Sequence, residues 1–140
     1  MASVKGVNIA NLDAVPAVLA DAAEAHGRLR VWFDSYEASA LASGSDITVA
    51  RLPAGATVYE AIVHHDALGA NVTLQLGDAA DDDRLIAATA AANAGKVVLS
   101  EDGAIDGFGH HYDAETDIRL KTGGASATGT IKCAVIYALD

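Results

Sequence analysis

The chain has 140 residues, a formal net charge of −10 and a hydrophobic fraction of 51%, to which aromatic residues contribute little. A chain of this length fits one domain, which at this size buries roughly 68–70% of the surface of the unfolded chain. The acidic balance, with no Lys/Arg cluster, argues against a nucleic-acid partner, because such binding depends on neutralising phosphates.

Targeting signals and cysteine usage narrow the class of protein further. The sequence has neither an apolar run of transmembrane length nor the charged-then-apolar pattern of a signal peptide. We therefore expect a protein made in a cytoplasm, with no membrane partner. Cys133 is the single cysteine, which excludes an internal disulfide. It lies in the apolar run IKCAVIYAL, so we expect a buried structural thiol rather than a nucleophile.

Residues 1–27 differ from the rest and are predicted to form an N-terminal arm with a short helix. In NLDAVPAVLADAAEAHG, Asp13 is placed to begin the helix and Gly27 to end it. The positions at helical spacing are Val15, Val18, Leu19 and Ala22. The preceding MASVKGVNIAN has no period and is typical of a flexible arm, with a disordered terminus as the alternative. We expect its apolar side chains to bury on a neighbouring protein; they are Val4, Val7, Ile9 and Leu12.

From Arg28 onward the hydrophobic period changes to two, which predicts β-strands in a single domain over residues 28–140. In RLRVWFDSY, the odd positions Leu29, Val31 and Phe33 are apolar, which predicts a strand that buries this face. The same alternation recurs near residues 46–49, 71–76, 117–121 and 131–137.

Glycine-rich turn signals separate these runs: ASGSD, LPAGA, ALGAN, NAGK, EDGAIDGFG and KTGGASATG. Short alternating strands at this spacing predict an all-β fold, an antiparallel β-sandwich or jelly roll of about eight strands.

The segment DRLIAATAAANAG is ambiguous between helix and strand. Its alanines favour a helix, and the aspartates before it are suited to cap one. Leu85 and Ile86 nevertheless lie where a sandwich needs another strand. We predict a short strand.

The two histidine doublets do not match a metal-binding pattern. Adjacent residues of a strand point to opposite faces, so His64 and His65 cannot both bind one metal without a bulge. Metal-dependent jelly-roll enzymes of the cupin type have one residue between their histidines, and neither this doublet nor His110 with His111 has that spacing. A symmetric oligomer would still bring one histidine from each copy to a shared axis.

The acidic cluster formed by Asp78, Asp81, Asp82 and Asp83 suggests a calcium site, because calcium binds several oxygens from one loop. This acidic cluster lacks the D-x-D-x-D-G spacing and the terminal glutamate of a calcium-binding loop, so a solvated turn is the stronger interpretation. We expect no metal and no other cofactor. The residues to consider if a metal does bind are His65, Asp66, Asp81 and Asp83.

No catalytic motif is present, and we expect no enzymatic activity and no catalytic residue. The sequence lacks the G-x-S-x-G of a nucleophile elbow and the G-K-[ST] of a phosphate loop. A carbohydrate-binding module remains an alternative, since scattered aromatic side chains can stack on sugars. These are Trp32, Tyr36, Tyr59 and Tyr112.

Several strand and turn motifs between residues 31 and 140 resemble those of small β-sandwich head-decoration (cement) proteins of tailed phages and phage-like particles. They are Tyr36-Glu37 at a strand end, the turn LPAGA, the Leu-Gly-Asp turn at residues 76–78 and the closing strand TGTIKCAVIY.

This resemblance implies a structural protein on the capsid surface of a virion, made in the host cytoplasm. Its implied partners are the major capsid protein and further copies of itself, typically as a trimer. The arm is then the expected capsid or subunit contact. A phage tail or neck protein and a carbohydrate-binding adhesive module are the alternatives, and a metal-dependent jelly-roll enzyme is the third.

Overall fold

The computed structural model describes residues 2–103 and 105–139. The described residues form two short helices and nine strands. The helices are α1 (Val7–Leu12) and α2 (Leu99–Asp102). The strands are β1 (Leu29–Leu41), β2 (Asp46–Leu52), β3 (Thr57–His65), β4 (Thr73–Gly77), β5 (Ile86–Ala90), β6 (Gly95–Val98), β7 (His110–His111), β8 (Thr116–Gly123) and β9 (Ala127–Ala138).

The strands form two antiparallel sheets that pack face to face. The first sheet has the order β1-β9-β3-β6, with the short β7 also paired to β3. The second has the order β2-β8-β4-β5. Strands that are neighbours in a sheet are mostly not consecutive in the chain, because most connections pass from one sheet to the other. This is the jelly-roll arrangement. The predicted all-β sandwich is therefore confirmed.

The core lies between the two sheets and is filled by aliphatic side chains at alternate strand positions. On β9, Ile131, Cys133 and Val135 are buried, while the intervening Lys132 is exposed. Burial raises the pKa of the Cys133 thiol to about 12, in agreement with the predicted structural role. The largest fully buried side chains are Leu52, Leu68, Leu74, Leu76, Leu85, Ile86, Ile118, Leu120 and Ile131.

The ambiguous segment after the aspartates is a strand, as predicted. β5 pairs with β4, with Leu76 opposite Ile86 and Leu74 opposite Thr89. Leu85 and Ile86 are buried, so pairing within the second sheet and burial in the core override the helix preference of the alanines.

The glycine-rich turn between β8 and β9 depends on a close approach of two backbone segments. Gly124 has φ of +81°, and a Cβ there would lie 1.9 Å from the carbonyl oxygen of Asn71. Glycine is required here on both counts, because other residues strain in this conformation and add the clashing atom.

The N-terminal helix lies earlier than predicted. α1 spans Val7–Leu12, and Asp13 is its C-terminal cap rather than the start of a helix. Residues 13–27 form turns and extended chain, with Val15 and Leu19 exposed. Pro16 gives the physical reason, because a proline disfavours the helical conformation of the residue before it, here Val15. No helix among the described residues is long and apolar enough to cross a membrane.

The arm folds back on itself and contacts the first sheet. The amide of Val18 donates to the carbonyl of Asn11 at 2.9 Å, and Asn8 Nδ2 donates to Glu24 Oε2 at 3.1 Å. Tyr59 on β3 donates its hydroxyl to the Ala23 carbonyl at 2.8 Å. Residues 21–26 are thereby held against the outside of this sheet.

Truncation of a core side chain tests this packing. Leu74→Ala is expected to lower the free energy of unfolding by about 2–5 kcal/mol, because it removes buried methyl groups and leaves a cavity. Leu19→Ala removes the same atoms from a side chain that is 79% exposed, and should change it by less than about 0.5 kcal/mol. Urea denaturation at neutral pH measures both. Equal effects of the two substitutions would contradict this core assignment.

Candidate functional site

Strand β1 is the end strand of the first sheet, and the register of its pairing with β9 assigns its two faces. Trp32 lies opposite Val135, which is buried in the core, so Trp32 is on the inward side. Phe33 lies opposite Ala134, which is on the same side of β9 as the exposed Lys132. Phe33 is therefore on the outward side. We call Leu29, Val31 and Phe33 the outward face of β1. Its inward face carries Trp32 and Tyr36 together with the charged Arg30 and Asp34.

This assignment corrects the sequence prediction for β1. The strand exists, but its odd positions face away from the core: Leu29, Val31 and Phe33 are 66%, 62% and 62% exposed. The reason is topological, because the first strand of this jelly roll lies at a sheet edge and its odd positions point away from the second sheet. The overlooked signal was the pair of aromatic residues at even positions, Trp32 and Tyr36. If the odd positions faced the core, the even positions would face water and should carry polar residues.

The inward face of β1 is also poorly covered. Trp32 and Tyr36 are 39% and 40% exposed, although they point toward the second sheet. Burial begins only at Ala38, which is 1% exposed. Residues 29–37 therefore carry apolar side chains on both faces of a strand that is held by its pairing with β9.

The outward face of β1 continues across the first sheet. Phe33 pairs with Ala134 on β9, which pairs with Ile62 on β3. Val31 lies opposite Ile136 in the next row of the same side. Ile62, Ala134 and Ile136 are half-buried. We call the whole surface the apolar face; it comprises Leu29, Val31, Phe33, Ile62, Ala134 and Ile136.

The predicted contact residues of the arm form a second exposed apolar group, the arm cluster. Val4 and Val7 are more than three-quarters exposed, and Ile9 and Leu12 are about half exposed. α1 has no buried residue. Ile9 and Leu12 line a small hollow together with Leu19. The structure thus brings the arm cluster to the protein surface, and its contact with a partner stays a prediction.

One end of the sandwich is held by a polar cluster around Asp78, whose carboxyl group is buried. Arg84 Nε donates to Asp78 Oδ2 at 2.6 Å, and the Tyr112 hydroxyl donates to the same oxygen at 2.9 Å. The amides of Ala80 and Asp81 each donate to Asp78 Oδ1 at 3.0 Å. Part of the acidic cluster is therefore a structural turn that links the β4–β5 connection to Tyr112 by hydrogen bonds.

Burial and hydrogen bonding have opposite effects on the pKa of Asp78 and the same effect on the pKa of Tyr112. Burial raises the pKa of Asp78, but hydrogen bonds from Arg84, Tyr112 and the Asp81 amide outweigh it, so the pKa lies below its usual value. Burial raises the pKa of Tyr112, and its bond to the Asp78 carboxylate raises it further. Burial also lowers the pKa of the neighbouring His110, whose ring contacts that of Tyr112 edge-on at 4.6 Å.

The four candidate metal ligands lie in two separate places rather than in one site. His65 Nδ1 lies 2.8 Å from the Asp66 carbonyl oxygen, and Asp66 Oδ2 accepts the Thr130 amide at 3.0 Å. These residues precede β4, whereas Asp81 and Asp83 follow it at the other end of the sandwich. The carboxylates of residues 81–83 do lie within 4.8 Å of one another, and Lys121 pairs with Asp82 at 2.9 Å.

Comparisons with known proteins find likenesses among solved structures. The chain matches no protein-family model and no curated protein at a significant level. A chain of the cyanophage Pam1 capsid asymmetric unit has 25% sequence identity and a TM-score of 0.68, covering 91% of this chain and 97% of that chain. This chain is similar to a phage capsid component.

Two further capsid structures contain the same fold. A chain in the capsid of Ralstonia phage GP4 has 21% identity and a TM-score of 0.66, covering 81% of this chain and 86% of that chain. A chain in the acidic stable capsid of Helicobacter pylori bacteriophage KHP30 has 11% identity and a TM-score of 0.58, covering 79% and 87%.

The match at 25% identity supports a structural protein of the virion, and the other two matches show the same fold. The predicted resemblance to phage virion proteins is confirmed at this level.

Removal of one hydroxyl tests the polar cluster. Tyr112→Phe loses a hydrogen bond to a buried carboxylate and is expected to lower the free energy of unfolding by about 1.5–3 kcal/mol. Tyr59→Phe is the matched control, since its hydroxyl binds a neutral carbonyl, a bond that contributes about 0.5–1.5 kcal/mol. Thermal and urea denaturation compare the two variants. A smaller loss for Tyr112→Phe than for Tyr59→Phe would refute this role of the cluster.

The pH dependence of stability tests the charge on Asp78. Because its pKa is lowered in the folded state, its carboxylate stabilises the fold above the unfolded pKa of about 3.9, and this contribution is lost as pH falls through the folded pKa. Asp78→Asn should therefore lose less stability than the unmodified protein between pH 6 and pH 3. Urea midpoints measured across this range give the difference. Parallel pH curves for the two proteins would show that Asp78 does not contribute.

Proposed function

We propose that this protein is a head-decoration protein of a tailed phage or a phage-like particle. It binds the outer surface of the mature capsid as a homo-oligomer and stabilises the shell. The observation that carries the proposal is the match to the Pam1 capsid chain, which covers 97% of that chain and 91% of this one. Nearly the whole of one small capsid component thus corresponds to nearly the whole of this protein.

The exposed surfaces of the chain suit such a role. Proteins that associate stably gain free energy by removing apolar surface from water, at roughly 25 cal/mol per Å². The apolar face and the arm cluster both offer such surface, and exposed patches of this kind mark sites of protein association. The net charge of −10 keeps an unassembled protein of this kind soluble.

Stabilisation of the shell follows from mass action. A protein that binds the mature lattice but not its dissociated subunits stabilises that lattice by RT ln(1 + [L]/Kd) per site, about 2.7 kcal/mol at a concentration of one hundred times Kd. Copies joined in an oligomer bind several lattice sites at once, which raises the overall affinity further. No catalytic group is needed for this function.

The arm cluster is the proposed capsid contact. α1 is a six-residue helix with no buried residue, so its apolar side chains gain burial only from a partner. Helices this short are marginal in water without packing. Docking of Val7, Ile9 and Leu12 onto the shell supplies that packing and leaves the sandwich on the exterior.

A tail or neck protein is the alternative within a phage particle, and a carbohydrate-binding adhesive module is the alternative outside one. The exposed Trp32, Phe33 and Tyr36 are side chains that a sugar-binding surface also uses. Quantitative mass spectrometry of particles purified from the source separates these functions. A ratio near one copy per major capsid protein supports decoration, a few per cent indicates tail or neck, and absence from the particle refutes the proposal.

Mutation of the arm tests the capsid contact. Deletion of residues 2–12, or the single substitution Ile9→Asp, is expected to weaken binding to mature shells at least about tenfold, equivalent to about 1.4 kcal/mol. Co-sedimentation of the purified protein with undecorated shells measures the binding. Circular dichroism should show an unchanged sandwich, since Ile9 is about half exposed.

Val15→Asp is the matched control for Ile9→Asp. Val15 is 99% exposed, lies in the same arm and is outside the arm cluster, so this substitution should leave binding unchanged. If the deletion and Ile9→Asp bind shells as tightly as the unmodified protein, the arm is not the contact.

A further inference from the structure

A polar cleft of about 660 Å³ opens beside the Asp78 cluster. It is bounded by the connection that follows β4, by β7 and by the facing ends of β2 and β8. Three of the five arginines of the chain line it, and we call it the arginine cleft. The charged and titratable side chains that matter here are Arg51, Asp78, Arg84, His110, Asp117 and Arg119.

Two of the three arginines in the cleft are held by carboxylates, and the third is not. Arg51 donates Nε and Nη2 to the two oxygens of Asp117, at 2.6 and 3.1 Å, and Arg84 donates to Asp78. Arg119 has no hydrogen-bonded partner among the described residues and acts on Asp117 through its charge. Its guanidinium therefore has N–H donors available to a ligand.

The fold holds Arg119 in the wall of the cleft. Its side chain points away from the core, because Ile118 and Leu120 on either side of it are buried, and it is itself half-buried. Gly77 lies opposite it on β4, and a Cβ at Gly77 would clash with the Asp81 carbonyl. The absence of a side chain at Gly77 thus lets the loop after β4 close one side of the cleft beside Arg119.

His110 adds a further donor without adding charge. It is half-buried, and burial lowers the pKa of its imidazole, so the ring is neutral at neutral pH and carries one N–H. Its edge-on contact with Tyr112 fixes the orientation of the ring. The cleft therefore presents donors from two kinds of side chain that are both held in place by their neighbours.

We propose that the arginine cleft is a carboxylate-binding site that takes an acidic side chain of the shell protein, with Arg119 as its main donor. The planar fork of a guanidinium matches the two oxygens of a carboxylate, which makes such pairs stronger and more specific than those of a lysine. This inference rests on the proposed function and names the chemistry of one part of the shell contact.

Local charge in the cleft favours a carboxylate. Arg51 and Arg84 are already neutralised by the two aspartates that they bind, so Arg119 leaves one positive charge in excess among these five side chains. The carboxylates of residues 113 and 115 also line the cleft but are exposed to water. The net charge of −10 opposes an acidic ligand at long range, but charges beyond about 8 Å are largely screened at physiological ionic strength.

The cleft is continuous with the arm, which favours the shell protein as the occupant. His111 lines the cleft and also a smaller hollow with Asp21 and Glu24 of the arm. Thr57 Oγ1 lies 2.9 Å from His111 Nδ1, and Glu24 accepts a hydrogen bond from Asn8 on α1. The arm cluster and the cleft therefore belong to one continuous surface, so a partner that docks on α1 also reaches Arg119.

Titration with a short acidic peptide tests the site without a shell. The probe is acetyl-Gly-Glu-Gly-amide, and acetyl-Gly-Gln-Gly-amide is the matched neutral peptide. The acidic peptide should shift the Nε–Hε resonance of Arg119 in the full-length protein in a saturable way, because a carboxylate accepts from the guanidinium. The neutral peptide should leave it unchanged. Equal shifts with both peptides, or no shift with either, would overturn the inference.

Shell binding tests whether the partner is the shell protein. Arg119→Ala should weaken co-sedimentation with undecorated mature shells at least about tenfold, as expected for loss of a charge-assisted hydrogen bond. Arg119→Lys should restore only part of the binding, because an ammonium lacks the fork. Lys132→Ala is the matched control: it removes a positive charge from an exposed position on the first sheet and should bind normally. Circular dichroism establishes that each variant is folded.

Salt dependence separates this contact from the apolar contact of the arm. Raising the ionic strength from about 0.05 M to about 0.3 M should weaken shell binding of the unmodified protein more than that of Arg119→Ala, because screening acts on the ion pair.

The outcomes distinguish the cleft from the proposed function. If Arg119→Ala binds shells as tightly as the unmodified protein, the cleft is not a shell contact, and decoration of the shell stands without it. If the unmodified protein does not bind shells, the proposed function falls, and the carboxylate site stands or falls on the peptide titration alone.

Discussion

The antiparallel pairing of β1 with β9 is the constraint on which the exposed surfaces of this protein depend. β9 lies between β1 and β3 and pairs with both along most of its length. Its inward side chains fill the core, so its position is set by packing. β1 is then held by backbone hydrogen bonds to a fixed neighbour, although its own side chains from Leu29 to Glu37 are exposed. An apolar strand is thereby kept extended in water, ready for contacts.

The jelly-roll connectivity determines where the arm leaves the sandwich. Because the first strand of this topology lies at a sheet edge, residues 2–27 lead into the edge of the first sheet rather than into its centre. Tyr59 holds this segment through the Ala23 carbonyl, and the tight approach of Gly27 to Ala22 and Ala23 leaves no room for a side chain there. The arm cluster and β1 therefore lie on the same polypeptide segment but are separated by an anchored turn.

The sequence predicts the class of fold well because period-two alternation reports burial between two sheets. It succeeds at β9, where Ile131, Cys133 and Val135 alternate with exposed or half-buried positions. It fails at β1, because alternation alone does not say which face meets the second sheet or whether a strand lies at an edge. It also misplaces the helix, since Pro16 disfavours the helical conformation of Val15, which the spacing of Val15, Val18 and Leu19 requires. The cluster of Asp78, Arg84 and Tyr112 joins residues distant in sequence, which no local pattern reveals.

The distribution of charge bears on how an acidic protein can expose apolar surface without associating at random. Most carboxylates lie outside β1, including those of residues 81–83 at one end of the sandwich. Their mutual repulsion opposes random contacts between copies, and this effect weakens with added salt. The segment 28–37 contains two arginines and two acidic residues and is neutral, so this repulsion is weakest there. The exposed apolar strand β1 therefore begins in a locally neutral part of an acidic chain.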